Sequence, residues 1–307
     1  MEHENYIKQL NAILEIHKMP QEKLAKEIGV THAAFSRWLN GHAKPHKNKL
    51  DQINQLYKKL VYYPSFDKKL LSEIVKKAEQ FKNQNIVDLI FNNQALLEDL
   101  LLEQTYNSSA IEGTTFTKRE TEAIIFNNIV IKDKSLKEHL EITNHAAILK
   151  NIFLKKYDHK ITEDLIKEMH KGLMHGLRED GGEYAKHHRG IRGLDIILTH
   201  PKDIAEEMSN LIQTWNKKRK KSIIDIADFH QAFELIHPFG DGNGRIGRLI
   251  MAIQCMQLGY PPVIIENIRK FEYYDVLEYA QLTAIGPFVE FTLNEIQKTS
   301  RIISKYL

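Results

Sequence analysis

Twelve consecutive residues, His237-Pro238-Phe239-Gly240-Asp241-Gly242-Asn243-Gly244-Arg245-Ile246-Gly247-Arg248, bring together a base, a hard oxygen ligand, a glycine-rich backbone and two cations. A neutral imidazole at His237 can take a proton from a hydroxyl nucleophile. Asp241 is the type of carboxylate with which Mg²⁺ shares the oxygens of a nucleotide. The glycines let backbone N–H groups turn toward one point, and a helix opening there adds partial positive charge, which makes an anion site suited to phosphate. Arg245 and Arg248, three apart, share one face of the first helical turn and can grip further phosphates. Together these groups suit the stabilisation of charge at a phosphorus under attack.

Two imitations fall away. Gly242 to Gly247 reads G-x-G-x-x-G, but a dinucleotide fingerprint follows a strand, and here the helical spacing of Ile223, Ile226, Ala227, Phe233 and Ile236 precedes it. A phosphate-binding P-loop would need a Lys and a Ser or Thr that are missing.

The segment resembles the signature of the Fic family, H-P-F-x-D/E-G-N-G-R-x-x-R, and matches it at every defined position. Fic proteins are helical enzymes, most of which transfer AMP from ATP to Ser, Thr or Tyr hydroxyls of proteins. The resemblance implies that His237 is the base and that Asp241 holds Mg²⁺. It also implies that Gly242, Asn243 and Gly244 line the α-phosphate site, while Arg245 and Arg248 hold the outer phosphates. Upstream, Ser108-Ser109-Ala110-Ile111-Glu112-Gly113 is similar to the family's inhibitory pattern S/T-x-x-x-E-G/N. In that reading Glu112 pairs with Arg248 in bidentate fashion and removes it from the γ-phosphate. ATP then lies with its α-phosphate misplaced for in-line attack. In some Fic enzymes the same glutamate also places a water that removes AMP.

Further positions follow from the same resemblance. A β-hairpin flap that docks the target by strand addition falls on Gly190–Thr199, with Ile196, Ile197 and Leu198 as its strand. Gly182-Glu183-Tyr184 is similar to the family's lead-in, although Ala185 stands where arginine is often found. Tyr274 is expected to stack on adenine and Gln281 to touch its edge. The implied partners are a target protein bearing a Ser, Thr or Tyr hydroxyl, this chain included.

The elements that must hold these residues are almost all helical. Apolar spacing predicts helices near 134–156, 162–177, 202–219, 223–236, 245–258, 270–284 and 287–305, with 68–104 also helix-forming. The fold class is all-α, a Fic-type helical core with a small β-hairpin flap. The expected domains are 1–62, a linker at 63–95 and a Fic domain at 96–307; Pro64 interrupts helical periodicity near the first boundary.

The first 62 residues carry ten Lys and Arg against six Asp and Glu, whereas the rest of the chain is nearly balanced. Within this head, Gln21–Ile28 suits a short helix ended by Gly29, and Thr31 can cap a second helix stopped by Asn40-Gly41. The pair resembles an Xre-type helix-turn-helix. On that resemblance Thr31, His32, Ala33, Ser36 and Arg37 face DNA. One head makes few contacts, so tight DNA binding calls for a homo-oligomer.

The 307 residues are 42% apolar and 27% charged, an ordinary globular composition. No apolar run is long enough to cross a membrane and the first residues are acidic, so a cytoplasmic protein is expected. A single cysteine, Cys255, excludes an intrachain disulfide. The histidines at 170, 175, 187 and 188 lack metal-ligand spacing and are read as surface or loop residues. Two other functions remain open: a DNA-binding transcriptional regulator whose Fic body senses nucleotide, and a Fic transferase using another donor such as UTP or GTP.

Overall fold

The computed structural model describes residues 2–57, 60–61, 69, 72–73, 76, 86–154, 160–190, 198–282 and 285–307. Their regular structure is helical, with no strand among the described residues. Two compact units result, one of residues 1–67 with 275–290 and the other of 68–274 with 291–307.

The first unit opens with α1 (Glu2–His17), α2 (Gln21–Ile28), α3 (His32–Leu39) and α4 (Lys47–Tyr57). Gly29 ends α2 in the left-handed conformation, φ 71°. Thr31 caps α3 by accepting from Ala34 N at 3.3 Å. Leu24, Ala25, Ile28, Phe35 and Trp38 are buried, as their helical spacing requires, while Thr31, His32, Ala33 and Arg37 are exposed and Ser36 is half-buried. Lys49 Nζ donates to Ile28 O at 2.6 Å, tying α4 to the end of α2.

The second unit contains α5 (Ile86–Asn92), α6 (Gln94–Ile111), α7 (Lys118–Asn127), α8 (Leu136–Phe153), α9 (Glu163–Leu173), α10 (Ile204–Lys217), α11 (Ile223–Ile236) and α12 (Asn243–Gln257). Two further helices, α13 (Lys270–Leu282) and α14 (Gly286–Ile303), complete the chain. The helix-forming stretch 68–104 is interrupted at Asn93, whose side chain accepts from Leu96 N at 3.1 Å and so starts α6. Ser135 with Glu138, and Thr117 with Glu120, form capping boxes that set the starts of α8 and α7.

Helix α12 lies at the centre of this unit, against α11, α9, α8 and α6. Ile246, Leu249, Ile250, Met251, Ala252, Ile253 and Cys255 are buried around its circumference, the pattern of a core helix. Its buried polar residues, Asn243, Arg245, Arg248 and Gln254, are therefore exceptions that need partners.

The strand residues Ile196 and Ile197 of the expected flap lie outside the described residues; Leu198 is described, half-buried and in no strand. One expectation is corrected. His170 is a buried residue of α9, not a surface or loop histidine, because its ring stacks on Phe239 with centroids 3.7 Å apart.

Candidate functional site

The loop between α11 and α12 is held from both sides. His237 ends α11 with φ 48°, and its N–H donates to Phe233 O at 2.8 Å. A left-handed, non-glycine residue persists only where its neighbours hold it. Asn243 braces the loop, its Oδ1 accepting from Phe239 N and its Nδ2 donating to Phe239 O, both at 2.8 Å. Its side chain is thus engaged internally, and its backbone stands at the start of α12. Gly242, with φ 77°, turns the chain into that helix, and a Cβ there would overlap Met174. His170 supports the loop from below. Its Nδ1 accepts from Gly182 N at 2.8 Å, which leaves Nε2–H to donate to Asp241 O at 3.0 Å.

The two arginines are buried and divided between different partners. Arg245 Nη1 reaches Glu141 at 3.4 Å, and its Nη2 reaches Asp241 Oδ1 at the same distance. Arg248 Nη2 donates to Glu112 Oε1 at 2.7 Å and to Ser108 O at 2.9 Å, while its Nε donates to Ser108 Oγ at 3.0 Å. The bidentate pairing expected between Glu112 and Arg248 is corrected by this geometry. The guanidinium fork is shared, because the last turn of α6 presents a hydroxyl and a carbonyl beside the carboxylate. Gly113, just beyond, takes φ 103° and ends the segment.

Glu112 lies over the opening of α12. A Cβ added to Gly244 would stand 2.5 Å from Glu112 Oε1, so glycine is what admits the carboxylate there. The first N–H groups of a helix lack intrahelical partners, and an anion at that point is stabilised by them and by the helix dipole. Burial pushes the Glu112 carboxyl up, but Arg248 and Arg245 outweigh it and hold it below the usual range. Glu112 thus places a carboxylate beside Arg248 at the opening of α12.

Electrostatics around the imidazole favour its neutral form. Burial lowers His237 to about 4. Glu234 Oε2 lies 3.8 Å from its Nδ1, and Glu234 Oε1 lies 3.9 Å from His230 Nε2. That glutamate is buried and pushed up to about 8, chiefly by burial and further by Glu112, against the pull of Arg248. His230 Nε2 meets Tyr273 OH at 2.8 Å, and Tyr274 follows with ring centroids 5.4 Å from Tyr273. Burial, then the nearby Glu112 charge, raise Tyr274 to about 12.

Asp241 suits a divalent cation in its donor chemistry. Its Oδ1 accepts from Gly242 N at 2.6 Å, and 47% of its side chain is exposed. No group of three or more His, Cys, Asp or Glu able to hold a metal occurs among the described residues. One carboxylate fits Mg²⁺ that takes its remaining ligands from phosphate and water.

The structure thus gathers Ser108, Glu112, His237, Asp241, Gly242, Asn243, Gly244, Arg245 and Arg248 around one loop, with Tyr274 close by. Gln281 belongs to the other compact unit, as do Thr31, His32, Ser36 and Arg37. Sequence reading missed Glu141, His170, Arg189, His230 and Glu234. Glu234 carried a faint signal, three residues before His237 on the same helix, but an acid within an apolar stripe reads equally well as a solvated position.

Residues 160–255 match the Fic/DOC family. The chain is 32% identical over 218 residues to a protein named protein adenylyltransferase Fic from Nematostella vectensis, covering 69% of this chain and 50% of that protein. It is 32% identical over 197 residues to protein adenylyltransferase fic-1 of Caenorhabditis briggsae, covering 61% and 38%. The chain spans half or less of the length of these relatives. Among solved structures, a Fic family protein of Desulfovibrio desulfuricans G20 superposes with a TM-score of 0.65 at 25% identity, over 80% of this chain and 77% of that one. Fic-1 of C. elegans (aa134–508) superposes with a TM-score of 0.68 at 23% identity, over 93% and 85%, a likeness of fold. Residues 160–255, which match the Fic/DOC family, hold the loop of His237 and the buried arginines.

Proposed function

We propose that this chain transfers AMP from ATP to hydroxyl groups of proteins and that Glu112 restrains the transfer. The observation that carries the reading is the His237 imidazole, 15% exposed, on the loop that opens α12 beside the buried Arg245 and Arg248. Relatives named protein adenylyltransferase support it.

In the reaction, a target hydroxyl oxygen attacks the α-phosphorus and the bond to the β-phosphate oxygen breaks, releasing pyrophosphate. The ring nitrogen of His237 turned away from Glu234 takes the hydroxyl proton. The amides of Gly242 to Gly244 and the Arg245 guanidinium meet the charge that develops on phosphate. Mg²⁺, held by Asp241, would supply charge neutralisation between the phosphates. Arg248 serves the outer phosphates once Glu112 leaves it. Tyr274 lines the adenine end.

The test is intact-mass analysis of Glu112→Gly and wild-type protein after incubation with ATP and Mg²⁺, with UTP and GTP as alternative donors. Addition of AMP to the Glu112→Gly protein, abolished by His237→Ala, is expected. No added nucleotide from any donor would refute the reading.

The head is proposed as a DNA-binding helix-turn-helix, on the strength of the Thr31 cap, the Gly29 turn and the exposed face of α3 carrying His32 and Arg37. Arg37→Ala should weaken retention on DNA at low salt; equal retention of variant and parent would remove this function.

A further inference from the structure

Four consecutive carbonyls at the end of α11 accept hydrogen bonds from one stretch of chain. Leu235 O accepts from Thr199 N at 3.1 Å, and Pro238 O from Ala185 N at 2.8 Å. Between them, Ile236 O accepts from Arg189 Nη2 at 3.0 Å, and His237 O from Arg189 Nε at 2.8 Å. The same guanidinium donates from Nη2 to Thr199 O at 2.8 Å and from Nη1 to His187 O at 3.1 Å. A helix end leaves its last carbonyls without intrahelical donors, and here a side chain from elsewhere in the chain satisfies two of them. Arg189 is half-buried, and no carboxylate pairs with it among the described residues. Its fork is committed to backbone carbonyls.

The residue it holds is strained. His237 sits at φ 48°, a conformation that L-residues rarely adopt and that relaxes unless its neighbours prevent it. Fixing the His237 and Ile236 carbonyls fixes the peptide planes on either side of the His237 Cα, and hence the direction in which the imidazole leaves the backbone. The same guanidinium also holds the His187 and Thr199 carbonyls. We propose that Arg189 is a positioning residue, which locks the left-handed turn at His237 and ties it to the His187 and Thr199 carbonyls. The proposal rests on the reading of His237 as the base.

The experiment uses the full chain in the Glu112→Gly background and compares Arg189→Ala and Arg189→Lys with their parent. Single-turnover incorporation of AMP gives the rate, and calorimetric titration with ATP and Mg²⁺ gives the affinity. A base displaced by about 1 Å costs on the order of 10²-fold in rate. Arg189→Ala is expected to lose about that factor while ATP affinity stays within about twofold. Added guanidinium ion should restore part of the rate in Arg189→Ala and leave the parent unchanged. Arg189→Lys should stay slow, because an ammonium cannot serve carbonyls in fork geometry. An unchanged rate in Arg189→Ala, or a rate loss that guanidinium does not relieve, would overturn the proposal. So would a loss of rate matched by an equal loss of ATP affinity. His237→Ala in the same background separates the two layers: if it too transfers AMP at the parent rate, the base reading has failed and not Arg189 alone.

Discussion

Glu112 and Arg248, 136 residues apart in the chain, meet at 2.7 Å, and the carboxylate lies where a phosphate would be drawn to the start of α12. The contact is modest in strength, because 31% of the Glu112 side chain remains exposed and Arg248 keeps two further bonds to Ser108. A polyphosphate carries more charge than one carboxylate and can compete with it.

Removing the carboxylate should therefore release the site without unfolding it. Glu112→Gly is expected to raise AMP incorporation by up to about fivefold, since a partly exposed ion pair is worth up to about 1 kcal/mol. Arg248 remains anchored by Ser108, so the urea midpoint should move little. Equal labelling of variant and wild type would show that Glu112 restrains nothing.

Gly242→Ala tests the turn into α12. Its φ of 77° is unfavourable for alanine, and the added methyl would overlap Met174. A loss of about 1–2 kcal/mol in urea unfolding is expected, chiefly from backbone strain, since the end of the flexible Met174 side chain can shift aside. A loss below ~0.5 kcal/mol would mean the loop accommodates a side chain that the geometry forbids.

Titration of Glu234 gives stability a pH signature. Its folded value of about 8 lies above its ordinary 4.5, so the folded state holds the proton more tightly than the unfolded chain. This contribution is full below about pH 4.5 and is lost as pH rises to about 8. The groups facing it are His230, His237, Arg248, Glu112 and Tyr273. His145 and His230 act in the opposite sense. Burial lowers both to about 3 from 6.5, so their contribution is full above about pH 6.5 and fades as pH falls. Glu234→Gln should remove the alkaline decline, becoming more stable than wild type by ~1–3 kcal/mol at pH 8 relative to pH 5. Urea midpoints at pH 5, 6.5 and 8 measure this, and parallel curves for the two proteins would contradict it.

His170→Ala should loosen the loop from below. The variant leaves Asp241 O and Gly182 N without their partner and removes the ring stacked on Phe239. We expect a stability loss of about 2–4 kcal/mol and weaker ATP–Mg²⁺ binding. Wild-type affinity by calorimetry would show that Asp241 needs no such support.

The helices were legible in the amino-acid sequence because their apolar periodicity and stop residues are local signals. Gln21–Ile28 and Ile223–Ile236 are found where the spacing places them, and Gly29 and Thr31 act as their residue types predict. The twelve-residue loop was legible for the same reason, since its base, carboxylate, glycines and arginines are contiguous. The pairing of Arg248 with Glu112 was expected from the resemblance, and only the tertiary structure decided what else each arginine holds. Glu141 reaches Arg245 from α8 and Ser108 reaches Arg248 from α6, both across more than a hundred residues, and no local pattern encodes such a meeting. The packing of α12 within a ring of helices decided it as well that Glu234 and His170 are buried, because burial depends on what covers a helix face. The chain's own chemistry named the candidate residues; the fold, by choosing their neighbours, set their surroundings and directions.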